Sequence, residues 1–64
     1  MYSIEVTVPA ARRYATIDIR KGYTLDSAVD AFEDCVDYYG NGEYAGGRVA
    51  MIDSDGYIVE QRRI

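Results

Sequence analysis

The stretch TLDSAVDAFEDCVDYYG, residues 24–40, decides the fold. Its apolar residues recur at the i, i+3, i+4, i+7 spacing that marks one face of an α-helix. Thr24 is suited to cap the helix N-terminus with its side-chain oxygen, and Gly40 is a typical residue for ending a helix. The sequence therefore predicts one helix from about Leu25 to Tyr39, with an apolar face formed by Leu25, Ala28, Val29, Phe32, Val36 and Tyr39.

A β-hairpin is predicted on each side of this helix. Residues 2–8 and 14–19 alternate between apolar and polar side chains, which is typical of half-buried strands. Pro9 to Arg13 separates these runs and predicts a loop of four or five residues. After the glycine-rich loop 40–47, the runs RVAMID and GYIVEQR flank a turn at Ser54-Asp55-Gly56. The inward residues of the first hairpin should be Ile4, Val6, Val8, Ala15, Ile17 and Ile19.

These elements predict an α+β fold in a single domain, residues 1–64, with one helix packed on one face of a four-stranded sheet. A right-handed crossover through the helix places the first and last strands together as a parallel central pair. The expected sheet is therefore mixed, in the ββαββ arrangement of the β-grasp fold. A split βαβ variant with another strand order also fits the pattern.

In element order and length the chain resembles the immunoglobulin-binding domains of bacterial proteins L and G. Lys21-Gly22 before the helix and Asn41-Gly42-Glu43-Tyr44 after it are similar to protein L. The resemblance implies the β-grasp fold and assigns no binding residues. It also suggests one function, a module that adds a partner's strand to an exposed sheet edge.

Composition disfavours several classes of function. The net charge of −4 and pI of about 4.5 make direct nucleic-acid binding and attachment to anionic membranes unexpected. No apolar run approaches the roughly 18 residues of a membrane span, and no signal peptide is recognisable. The single cysteine, Cys35, fits a reducing compartment. We expect a complete small cytoplasmic protein.

No catalytic or metal-binding motif is present. Aligning Gly56 with the glycine of a calcium loop puts Met51 and Arg62 at essential ligand positions, so Asp53-Ser54-Asp55-Gly56 is interpreted as a hairpin turn. The chain contains no histidine to activate Cys35, which should be a buried apolar residue. We therefore predict that the protein is not an enzyme and uses no metal or cofactor.

The solvent face of the helix carries only acidic charge. Five pairs of acidic residues on this face stand at i, i+3 or i, i+4. Repulsion between these like charges destabilises the helix by roughly 1 to 2.5 kcal/mol at low salt. Three explanations are open: a merely solvated face, adaptation to high salt, or a recognition surface for a basic partner. We call this set the acidic stripe: Asp26, Asp30, Glu33, Asp34 and Asp37.

The preferred hypothesis is a small acidic inhibitor or regulator that binds protein, similar to those carried by phages and other mobile elements. Carboxylates that recur about 5 to 6 Å along the helix axis resemble a row of phosphates. The partner would be a basic protein surface, such as the site of a nucleic-acid-binding protein. Tyr38, at the border of the acidic stripe, would supply a desolvated contact, because tyrosine is enriched at binding hot spots.

The arginines support an alternative hypothesis. The β-grasp strand order would gather five of them at one end of the sheet, where they could bind an anion or nucleic acid. They could equally be solubility charges or edge protection. The residues are Arg12, Arg13, Arg48, Arg62 and Arg63.

Overall fold

A computed structural model describes all 64 residues, Met1–Ile64. It confirms the α+β class and the ββαββ order of elements along the chain. The helix is too short and too polar to cross a membrane. The elements are β1 (Tyr2–Ala10), β2 (Arg13–Tyr23), α1 (Leu25–Tyr39), β3 (Arg48–Ile52) and β4 (Ile58–Arg63).

The strand order differs from the β-grasp expectation. The sheet runs β2-β1-β3-β4, and all three neighbouring pairs are antiparallel. The central partner of β1 is therefore β3, with Ser3 opposite Ile52 and Thr7 opposite Arg48, and the expected parallel pairing of β1 with β4 is wrong. The composition of β3 and β4 explains why β3, and not β4, lies beside β1 in the centre of the sheet. In β3, three consecutive apolar residues are buried, whereas every residue of β4 is exposed, as suits an edge strand.

The core lies between the helix and the two central strands. The helix packs mainly over β1 and β3. Phe32, Ile4 and Val6 are among its largest fully buried side chains. As predicted, Val6 and Phe32 belong to this core, and Val36 packs against it half-buried. The buried cluster comprises Ile4, Val6, Ala28, Ala31, Phe32, Cys35, Tyr39, Val49 and Met51.

The helix is rotated about its axis relative to the orientation that its apolar periodicity predicts. Ala31 and Cys35 are buried, whereas Leu25 and Val29 are 53% and 45% exposed. Small residues at the contact allow the helix to approach the sheet closely, which moves the two larger aliphatic residues to its flank. The prediction that Leu25 and Val29 belong to the core is therefore wrong.

The inward face of β2 also differs from the prediction. Ile17 and Ile19 are 41% and 49% exposed, although the alternation predicted that both are buried. Asp18 pairs with Val6 and Arg20 pairs with Ile4, so these charged residues share the face that the helix covers. The register shifts between Val6 and Thr7, next to Ile17 on the partner strand. This irregularity and the edge position of β2 leave its polar residues facing the helix flank.

The first hairpin turn is tight, whereas the second spans residues 53–57 between the paired Ile52 and Ile58. Ala10 pairs with Arg13, so the first hairpin turns over two residues instead of the four or five expected. Ala11, at its tip, is the only residue other than glycine with a positive φ, 47°. In the second hairpin, a carboxylate oxygen of Asp53 accepts backbone N–H bonds from Asp55 at 2.9 Å and Tyr57 at 3.0 Å. The interpretation of the Asp53–Gly56 segment as a turn is confirmed.

Candidate functional site

The helix presents the acidic stripe to solvent. Thr24 fixes the start of the helix, since its Oγ1 accepts the backbone N–H of Ser27 at 3.3 Å. From this start, all five carboxylates of the stripe lie at exposed positions. Only Glu33 has an ion pair, with its Oε1 3.5 Å from Nη2 of Arg62. The other four carboxylates have no cationic partner, so most of the stripe's charge is uncompensated.

Tyr38 stands beside the acidic stripe near the C-terminal end of the helix and is 67% exposed. Its ring lies edge-on to that of Tyr39, with centroids 4.8 Å apart. Tyr39 is buried and lies edge-on to Tyr44 at 5.2 Å. Tyr38 is thus an exposed aromatic ring supported by a packed aromatic cluster, so burying the ring would cost little side-chain entropy.

A polar cluster between the helix and β2 was not anticipated from the sequence. The Tyr39 hydroxyl donates to Oδ2 of Asp18 at 2.8 Å, and Nε of Arg20 donates to the same oxygen at 3.2 Å. The hydrogen bond to Asp18 is the main reason that the pKa of Tyr39 is raised. Asp18 and Arg20 stand two residues apart and therefore share one face of the strand, and this spacing was the feature of the sequence that could have predicted the cluster. The cluster attaches the C-terminal part of the helix to β2.

Replacing Tyr39 with phenylalanine should lower the free energy of unfolding by about 1 kcal/mol at pH 7, because Asp18 loses a donor. Since folding raises the pKa of Tyr39, its stabilising contribution is complete below the unfolded value of about 10 and is lost as pH rises through the folded value. Urea unfolding of wild type and Tyr39→Phe at pH 7 and at pH 11 should show the difference shrinking at the higher pH. Tyr38→Phe is the control, because the Tyr38 hydroxyl makes no hydrogen bond. A constant difference would contradict this role.

Cys35 is a structural residue. It is fully buried, as predicted, and burial is the main reason that the pKa of its thiol is raised. The nearby Arg20 opposes this shift but does not overcome it. The thiol therefore remains protonated at neutral pH, and it is poorly suited to nucleophilic chemistry.

Four of the five candidate arginines lie at one end of the sheet. Arg48 and Arg63 stand directly opposite each other on β3 and β4, and Arg12 and Arg13 lie at the adjacent hairpin. Arg48 and Arg63 line a small cavity of about 150 Å³ together with Tyr14, Gly46 and Gly47.

Arg62 is separate from this group. It pairs with Val49 on the face that the helix covers, and its guanidinium carbon is 5.6 Å from the centroid of the Phe32 ring. The arginine end therefore consists of Arg12, Arg13, Arg48 and Arg63.

An apolar groove lies between the helix and β4. Its volume is about 300 Å³, and Glu33, Glu60 and Arg62 form its polar rim. Sequence reasoning missed this groove because Leu25 and Val29 were assigned to the core. Val59, on the opposite wall, is also 50% exposed. The apolar lining consists of Tyr2, Leu25, Val29, Phe32, Met51 and Val59.

No group of three or more histidine, cysteine, aspartate or glutamate side chains converges in a way that could hold a metal ion. Comparison with protein-family models, with curated proteins and with solved structures found no match.

Proposed function

We propose that this protein is a non-enzymatic protein-interaction module, a small acidic inhibitor or regulator whose helix occupies a basic site on another protein. The observation that carries the proposal is the exposed acidic stripe, in which four of the five carboxylates lack a cationic partner. Such a surface complements a cluster of lysines and arginines, and a nucleic-acid-binding site is the common protein surface of that kind.

The arrangement is unfavourable for the isolated helix, which supports a role beyond solubility. Like charges at i, i+3 and i, i+4 repel along the acidic stripe. The last turn contains no basic residue, and Asp37 lies near the negative end of the helix dipole. A basic partner would relieve this repulsion on binding, whereas water and salt relieve it only in part.

Tyr38 supplies the second requirement of such a surface, an apolar contact beside the charges. Charges accelerate association and orient the partner, whereas slow dissociation depends on buried contacts. Two-thirds of Tyr38 is exposed, and its ring is supported by Tyr39, so it can be buried by a partner without refolding the helix. We assign Tyr38 as the aromatic contact of the interface.

The proposal is tested by capturing the partner from the native cell on the immobilised protein and competing with double-stranded DNA. A partner held through its nucleic-acid site should be released by DNA and by salt. If DNA and the protein bind the captured partner simultaneously, the nucleic-acid mimicry is excluded.

Substitution of Arg62 tests the same proposal by mutation. It is the only cation paired with the acidic stripe, so Arg62→Gln should free Glu33 and strengthen binding of a basic partner several-fold. Arg63→Gln removes the same charge at the opposite sheet face and is the matched control, with a smaller gain expected. Titration calorimetry of both variants with the captured partner measures the two effects. Weaker binding by Arg63→Gln, with no gain from Arg62→Gln, would indicate that the arginine end, not the acidic stripe, binds the partner.

The arginine end supports a second candidate function, binding of an anion or nucleic acid. Arg48 and Arg63 face each other directly across β3 and β4, an arrangement that repels in a free sheet. Nη1 of Arg48 donates to Oε1 of Gln61 at 3.2 Å, but no carboxylate pairs with either arginine. A phosphate group in the adjoining cavity would relieve the repulsion.

A further inference from the structure

The apolar groove is an opening in the part of the molecule where a core would be expected to close. Leu25, Val29 and Val59 are each about half-exposed, at 53%, 45% and 50%, and they surround the buried Phe32 and Met51. The helix is centred over β1 and β3, which leaves its flank facing β4 incompletely covered. A cavity of about 300 Å³ matches the smallest ligand pockets, with room for a side chain.

The charges around the apolar groove define what fits it. Glu33 belongs both to the groove rim and to the acidic stripe, and Arg62 neutralises it. On the other side of the groove, Glu60 has no cationic partner and accepts only the backbone N–H of Gln61 at 3.0 Å. The apolar floor of the groove is complementary to a large apolar side chain. The unpaired Glu60 on one side and the acidic stripe on the other are complementary to lysine or arginine residues next to that side chain.

We infer that the apolar groove seats one large apolar side chain, such as leucine, from a lysine- or arginine-rich segment of the protein that the acidic stripe binds. The inference rests on the proposed function and specifies its partner: the basic site must carry an exposed apolar residue near its cations. It also extends the interface across the helix, from Tyr38 on one side to Val59 on the other.

The test uses two short lysine-rich peptides that differ at one central position, leucine in one and serine in the other. Titration of the whole protein, followed by NMR, should show that the leucine peptide binds about tenfold more tightly, with shifts at the Val29 and Val59 methyl groups. In the groove variant Val29→Gln with Val59→Thr, this preference for leucine should fall to less than about twofold. Equal affinity of the two peptides for the wild-type protein would overturn the inference.

The matched control is Ile19→Thr with Ile58→Thr. These residues are 49% and 46% exposed, and the control pair lies outside the groove lining. The control variant should retain the tenfold preference, and its loss there would overturn the assignment to the groove. Sedimentation of the free protein tests whether the groove is instead occupied by a second copy of the chain. A dimer that only the groove variant abolishes would show self-association through the groove and overturn the inference.

The charge-reversed variant Asp30→Lys with Asp34→Lys separates this inference from the proposed function. Weaker binding of both peptides, with the leucine preference retained, supports the acidic stripe and the groove together. Undiminished binding of both peptides would overturn the proposed function and, with it, the partner assigned to the groove. If charge reversal weakens binding while wild type shows no leucine preference, only the groove inference fails.

Discussion

Phe32→Ala is expected to destabilise the protein by about 3 kcal/mol or more. Phe32 is 2% exposed and belongs to the buried cluster between the helix and the central strands. A domain of this size has a free energy of unfolding on the order of 5 kcal/mol, so the variant should retain about 2 kcal/mol or less and unfold at a much lower temperature. Urea and thermal unfolding measure the loss, and an unchanged melting temperature would contradict the packing.

Val29→Ala is the control for Phe32→Ala. The periodicity of the sequence places both residues on one apolar face, but Val29 is 45% exposed. We expect this substitution to cost less than about 1 kcal/mol, because a half-exposed valine has less buried area to lose and alanine favours the helix. Equal costs at the two positions would mean that the helix has the rotation expected from periodicity, with no groove at its flank.

The second large effect is the loss of partner binding when Asp30 and Asp34 are both replaced by lysine. Both side chains are exposed and neither has a cationic partner. If each contacts a basic residue, losing two close charge pairs at about 1.5 kcal/mol or more each lowers affinity by about 100-fold or more. Binding of the wild-type protein should also weaken steeply with salt. Surface plasmon resonance at two salt concentrations measures both effects.

Glu5→Lys with Asp55→Lys is the matched control, since it changes the net charge equally without touching the helix. It should reduce affinity far less than the helix variant. Full binding by the helix variant would exclude the acidic stripe as the interface. Unfolding experiments serve as the folding control: removing like-charge pairs should raise the melting temperature at low salt. If the wild type folds only in molar salt, adaptation to high salt explains the stripe better than binding.

The features that depend on near neighbours were predictable from the sequence. The helix begins at Leu25 and ends at Tyr39 as predicted, because the Thr24 cap and the terminal Gly40 act within one turn. The second hairpin follows from Asp53 and Gly56 for the same reason. The acidic stripe was visible because helical periodicity alone determines which side chains share a face.

The features that depend on distant contacts were not predictable in this way. Either β3 or β4 can pair with β1 after a crossover, and the choice depends on which strand loses less by lying at the edge. The consecutive apolar residues Val49, Ala50 and Met51 favour a central position for β3. The sequence-based prediction gave more weight to the general preference for a parallel crossover and therefore placed β4 at the centre. The rotation of the helix likewise depends on the sheet beneath it. The apolar groove results from both features, so it could not be predicted from either segment alone.

The exposed edge strand has a consequence for the motions of the molecule. All six residues of β4 are exposed, so detaching this strand costs mainly its ladder of hydrogen bonds to β3 and the contacts of Arg62 with Glu33 and Phe32. Local opening of β4 should therefore require less free energy than global unfolding, while β1, β3 and the helix remain folded. Because Val59 and Glu60 form one wall of the apolar groove, this opening widens the groove. If the groove binds a side chain as inferred, opening of β4 would let it admit side chains of different sizes while the helix keeps its own hydrogen bonds.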